Sequence, residues 1–85
     1  MNKIKINFYA HLKVKAGTGE VIISMPPGST MGDLIARVKE LYPSLIPQLS
    51  NIMIMVNKKN IFLEGEVIPE NAEVAFLPPA GGGEF

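Results

Sequence analysis

The chain has 85 residues, 47% of them apolar, with eight basic and eight acidic side chains and no net charge. That describes one small domain with a modest core, too short for two, and without the basic stripe that neutralises phosphates, so nucleic acid is not an expected partner. Cysteine is absent, which excludes disulfides, thiolate metal sites and a thiol nucleophile; any sulfur chemistry must draw its sulfur from elsewhere.

In chain order, Lys3 to His11 alternates, with Ile4, Ile6, Phe8 and Ala10 on one face and Lys3, Lys5, Asn7, Tyr9 and His11 on the other. This period of two predicts a half-buried strand. Lys13 to Gly19 is mostly polar and ends in Gly17-Thr18-Gly19, a turn signal. Glu20 to Met25 forms a second strand with Val21, Ile23 and Met25 on one face, so the pair reads as an antiparallel hairpin with a loose loop. Pro26-Pro27-Gly28-Ser29 breaks the chain, and Thr30 follows as an N-cap with Asp33 at the third helical position, a variant capping box. Met31, Leu34, Ile35, Val38, Leu41 and Tyr42 fall on one side of the resulting helix, and Asp33 to Arg37 is an i,i+4 ion pair on the other. Pro43 ends it, and Leu45, Ile46 and Leu49 mark a single helical turn before Ser50.

Ile52 to Val56 is continuously apolar, which suits a central strand covered on both sides. Asn57-Lys58-Lys59-Asn60 is a turn, Ile61-Phe62 a short strand, and Pro69-Glu70-Asn71-Ala72 another turn. Glu73 to Leu77 is the last strand, with Val74 and Phe76 inward. The order is that of an α+β domain: a mixed sheet of about five strands with one main helix and a short helical turn. It matches the β-grasp (ubiquitin-like) arrangement, in which the first and last strands are adjacent, parallel and central. The domain spans residues 1–77, and residues 78–85 form a flexible tail. Pro78 and Pro79 cannot extend a sheet ladder, and Gly81, Gly82 and Gly83 have no side chains to bury.

Enzyme motifs are missing. A lone strand histidine, His11, reads as a solvated side chain, with no metal site around it. Glu64 and Glu66 read as a solvated loop without a group to raise either pKa for acid catalysis. No helix follows the triple glycine, so it is not a phosphate loop. The five methionines read as core filler, Met53 and Met55 included. Tyr9 and Leu77 lie opposite Phe8 and Phe76. If the first and last strands are neighbours, both share the exposed sheet face beside the root of the tail, with Ile61 joining them as a docking patch. Met1 to Lys5 lacks a signal-peptide core and no apolar run is long enough to span a membrane, so a cytoplasmic protein without a membrane partner is expected.

The run Glu73-Val74-Ala75-Phe76-Leu77-Pro78-Pro79-Ala80-Gly81-Gly82-Gly83 resembles the C-terminus of the ThiS/MoaD sulfur carriers, closest to the small subunit of molybdopterin synthase, with Ala80 where valine is usual. Ile4 to Ala10, Thr30 to Leu34 and the Val56-Asn57 step into a turn also look like that family. The resemblance implies a non-catalytic carrier subunit that binds no cofactor itself. An E1-like adenylyltransferase (MoeB/ThiF type) adenylates the Gly83 carboxylate with ATP, and sulfur displaces AMP to give a thiocarboxylate. The Gly82-Gly83 end then enters a large catalytic subunit (MoaE type) and donates sulfur to a pterin precursor in molybdenum cofactor biosynthesis. Tyr9, Ile61, Leu77, Pro78, Pro79, Ala80 and Gly81 are the implied partner-binding residues. The family usually ends at the diglycine, whereas Glu84-Phe85 follow here and hold the Gly83 carbonyl in a peptide bond. Three explanations stand open: trimming between Gly83 and Glu84 by a processing metalloprotease, a remnant of a restriction site, or loss of carrier function. Alternative readings are a carrier or modifier for thiamine, amino-acid or lysine-tagging pathways, and a non-catalytic β-grasp interaction module.

Overall fold

Ile4, Ile6 and Phe8 face inward from strand β1 (Asn2–Phe8), in a computed structural model that describes residues 1–59 and 65–78. β1 pairs antiparallel with β2 (Glu20–Met25) and parallel with β4 (Glu73–Leu77), and β4 pairs antiparallel with β3 (Met53–Val56). The sheet order is β2-β1-β4-β3, so the first and last strands are central and parallel, as expected. Four strands are described; the Ile61-Phe62 segment lies outside the described residues.

One face of this sheet carries the core. Ile23 and Met25 of β2, Ile54 and Val56 of β3 and Val74 and Phe76 of β4 join the β1 residues in one cluster with Met31, Leu34, Ile35 and Val38 of α2 (Met31–Leu41). α2 starts as the capping box predicts: the Thr30 hydroxyl accepts from the Asp33 N–H at 3.2 Å and the Asp33 carboxylate accepts from the Thr30 N–H at 3.0 Å. These bonds satisfy donors that the first helical turn would otherwise leave unpaired. Asp33 is therefore committed to the cap, and Arg37 pairs instead with Glu40 at 2.9 Å, which replaces the expected Asp33–Arg37 pair. Leu41, assigned to the buried side, is exposed at the helix end. The segment after Pro43 is a 3-10 turn (Pro43–Leu45) running into α3 (Ile46–Leu49), with Leu45 and Leu49 buried.

Two further expectations are corrected. The first strand stops at Phe8, and α1 (His11–Ala16) replaces the loose hairpin loop, held to the core by Leu12 and closed by Gly17 at φ 80°. His11 is thus an exposed residue at a helix start, not a strand residue. β3 ends the described sheet and alternates in burial, so it is not a central strand covered on both sides. No helix among the described residues is long and apolar enough to cross a membrane.

A side-chain clamp ties the start of β1 to the turn before β4. Asn2 is 6% exposed; its amide donates to the Pro69 carbonyl at 3.1 Å and its oxygen accepts from the Asn71 N–H at 2.7 Å. Truncating the side chain leaves both turn groups without that partner. Asn2→Ala should lower unfolding free energy by about 1–3 kcal/mol, read from urea denaturation; an unchanged midpoint would remove the clamp from the account.

Candidate functional site

The face that α2 leaves open is divided by chemistry. Its register follows from the pairings: Lys5 lies between Ile22 and Glu73, Asn7 between Glu20 and Ala75, and Met55 and Met53 lie opposite Ala75 and Leu77. On the β2–β1 side the face is polar except for the exposed Ile22 on the edge strand. Lys5 Nζ sits 3.7 Å from the Glu20 carboxylate, and the Asn7 amide donates to Glu73 Oε2 at 2.8 Å. On the β4–β3 side it is apolar, made by Met53, Met55, Ala75 and Leu77, all half-buried.

This apolar half borders the end of β4. The Tyr9 N–H donates to the Phe76 carbonyl at 3.2 Å and closes the β1–β4 ladder; one residue further, Pro78 has no N–H to continue it. Parallel pairing makes β1 and β4 finish at the same rim, so Tyr9, 46% exposed, and Leu77 flank the point where the chain leaves the sheet. The structure thus brings Tyr9, Leu77 and Pro78 together. Ile61, Pro79, Ala80, Gly81, Gly82, Gly83 and Glu84 lie outside the described residues.

Met53 and Met55 belong to this surface, although the sequence reading placed them in the core. The available signal was the period of two: Ile54 and Val56 point into the core, which sends Met53 and Met55 to the opposite face. Methionine suits a docking surface, because its unbranched thioether adapts to a partner's contour.

Behind Tyr9 the backbone is strained. Ala10 adopts φ 54°, ψ −133°, a conformation that favours glycine, while the Tyr9 and Ala10 carbonyls accept from Leu12 and Lys13 at 3.1 Å each. Positive φ costs a non-glycine residue about 1–2 kcal/mol, partly offset in glycine by its greater unfolded-state freedom of about 0.5–1 kcal/mol. Ala10→Gly should therefore stabilise the fold by about 0.5–1 kcal/mol, measured as a higher denaturation midpoint; a lower midpoint would mean that the turn is not strained at Ala10.

The arrangement offers no catalytic set among the described residues. It offers a rim where a C-terminal segment exits beside an apolar, aromatic-edged surface, which suits recognition by a second protein. The ThiS family model matches residues 6–83. A molybdopterin synthase sulfur carrier subunit from Dictyostelium discoideum is 32% identical over 84 residues, covering 96% of this chain and 98% of that protein. Among solved structures, SAMP1 from Haloferax volcanii superposes with a TM-score of 0.84 at 22% identity, covering 95% of this chain and 99% of that one. The protein–protein complex of subunits 1 and 2 of molybdopterin-converting factor from Helicobacter pylori contains a chain that matches with a TM-score of 0.70 at 18% identity, covering 95% of this chain and 99% of that one. These two likenesses are of fold. With the model match running from β1 through Gly83, the chain belongs to the ThiS family.

Proposed function

We propose that this chain is the sulfur-carrier subunit of a molybdopterin synthase. The observation that carries the reading is the coincidence of two ends. The family match stops at Gly83, and β4, which leads to that glycine, leaves the sheet beside the apolar half of the open face. A carrier needs both features: a terminal acyl group to be charged and a surface that seats the body while the end reaches into another protein.

The chemistry asks little of the body. With Glu84-Phe85 released, the Gly83 carboxylate attacks the α-phosphorus of ATP on an E1-like adenylyltransferase, and pyrophosphate leaves. A sulfur nucleophile at the sulfide level then adds to the acyl carbon, AMP departs, and a thiocarboxylate remains. Glycine at Gly81, Gly82 and Gly83 presents no Cβ to a narrow channel. The large synthase subunit seats Tyr9, Met53, Met55, Ala75 and Leu77 and accepts the thiocarboxylate, whose sulfur passes to a pterin precursor and whose carboxylate returns. The apolar surface supplies binding energy remote from the reacting atoms, which positions the thiocarboxylate rather than activating it.

The direct test combines the chain ending at Gly83 with an E1-like enzyme, ATP, a sulfur donor and a large subunit, and follows pterin dithiolene formation. Formation that depends on every component supports the reading, and none with any cognate set overturns it. Leu77→Asp isolates the surface. A carboxylate placed in an apolar contact should weaken large-subunit binding by about tenfold or more, read by calorimetry. Leu77 faces away from the core cluster, so the unfolding midpoint should shift far less than for a core substitution. Unchanged affinity would assign docking to another face.

A further inference from the structure

We propose that β2 is a self-pairing edge, through which two copies of this chain join antiparallel into one continuous sheet. The proposal does not rest on the carrier reading; it follows from which backbone groups of β2 are already used. The Phe8 N–H donates to the Gly19 carbonyl at 2.9 Å, so Ile6↔Val21, Ile4↔Ile23 and Asn2↔Met25 are the hydrogen-bonded pairs of the β1–β2 ladder. The odd-numbered residues of β1 turn instead toward β4, as the Lys5 N–H to Ala72 carbonyl and Tyr9 N–H to Phe76 carbonyl bonds record. On β2, therefore, Glu20, Ile22 and Ser24 direct their N–H and C=O groups away from β1, toward an edge that no other described strand covers.

The two ends of that edge are closed from within. At Glu20, the Thr18 hydroxyl accepts from the N–H at 3.3 Å and donates to the carbonyl at 2.9 Å. At the other end, Pro26 has no N–H, and its carbonyl accepts from the Ser29 N–H at 3.2 Å and the Ser29 hydroxyl at 2.6 Å. Among the described residues, Ile22 and Ser24 are what remains open on this edge. These two residues form a palindrome about Ile23: with a two-fold axis there, Ile22 of one copy opposes Ser24 of the partner subunit, and Ser24 opposes Ile22. Each pair exchanges both of its hydrogen bonds, so the open donors and acceptors of the two β2 edges are all used. A foreign strand would use the same groups; a second copy matches their number and spacing by its two-fold symmetry.

The side chains agree. Natural sheet edges are blunted by lysine, proline or bulges, yet the segment Val21-Ile22-Ile23-Ser24 carries none of these, and Ile22 is 61% exposed. Pairing covers Ile22 beside Ser24 and Lys3 of the partner subunit, without opposing like charges across the new ladder. The β3–β4 half of the open face lies at the far edge of each sheet and stays free, so a pair of copies presents two docking surfaces.

Sedimentation velocity of the full chain over a concentration series to the millimolar range tests this. The expected result is a reversible rise from the 9.2 kDa monomer toward twice that mass. Slowed amide exchange at Ile22 and Ser24 should accompany it. Ser24→Pro removes an outward N–H without touching the β1 ladder, and Ile22→Lys adds an edge charge. Each, with circular dichroism confirming the fold, should raise the concentration needed for association by about tenfold or more. A chain that stays monomeric throughout overturns the proposal. So do folded variants that associate like the parent, and so does edge protection that appears only when an extended peptide is added.

Discussion

Removing Gly83 from the chain that ends there should cut sulfur loading by about a hundredfold or more, although a diglycine, Gly81-Gly82, still terminates the shortened chain. The reason is reach. One extended residue spans about 3.3–3.6 Å, so in the proposed carrier cycle the acyl carbon would be withdrawn by that distance from the ATP phosphorus while the body stays seated on the activating enzyme. Displacements of about 1 Å at a reacting centre already cost around a hundredfold in rate. The thermal midpoint should not change, because β4 ends at Leu77 and the deletion leaves the sheet intact. Loading is read by intact mass as exchange of one terminal oxygen for sulfur. Equal loading of the two chains would mean that the activating enzyme measures no distance from the domain. The chain that still carries Glu84-Phe85 serves as the control, since its Gly83 carbonyl is an amide and offers no carboxylate to adenylate.

The second large effect is on the fold. Phe76→Ala should destabilise the domain by about 3–5 kcal/mol, measured by chemical denaturation. Phe76 is fully buried on the central strand β4, its ring 5.9 Å from that of Phe8 in an edge-to-face contact, and Phe8 in turn meets Tyr42 at 5.6 Å. Truncation removes a ring contact as well as apolar area and opens a cavity between strands that cannot close without losing register. Domains of this size have only about 5–15 kcal/mol to lose, so the variant should melt well below the parent. Leu77→Ala, one residue along and on the other face, should cost much less. A Phe76→Ala protein within about 1 kcal/mol of the parent would contradict the burial assigned to β4.

What could be read from the chain is what local chemistry states unambiguously. Thr30 and Asp33 announce a helix start wherever they stand before an amphipathic run, and the structure contains that capping box. Alternation in Ile4-Lys5-Ile6-Asn7-Phe8 and Val74-Ala75-Phe76 fixes two strands and their inward faces. The parallel, central placement of those strands followed from the element order. α1 was hidden because Ala10 and His11 continue the alternation by parity; what ends β1 is the left-handed backbone at Ala10, a conformation that an alanine does not signal. Six residues in which Leu12 is buried and Ala16 packs partly against the core give too little helical period to recognise. β3 was misplaced for a related reason. A run of apolar residues looks the same whether both faces are covered or one face is reserved for a partner, and Met53 and Met55 are the second case on the present account.

Of the site, Tyr9 and Leu77 were legible because strand parity and the position of the prolines both point to the rim. Ala75, Met53 and Met55 emerge only from the β3–β4 register, which sets Met55 against Ala75 and Met53 against Leu77. Pairing between strands distant in sequence is not written in either strand by itself. The division of the open face into a polar and an apolar half is likewise a property of the assembled sheet.

The most direct measurement is the intact mass of this protein recovered from cells of its native host under conditions that preserve thioacids. A carrier should be recovered as a chain that finishes at Gly83, with a fraction carrying sulfur in place of one carboxylate oxygen. Recovery solely of chains that retain Phe85, with no shorter or sulfur-bearing form, would contradict it.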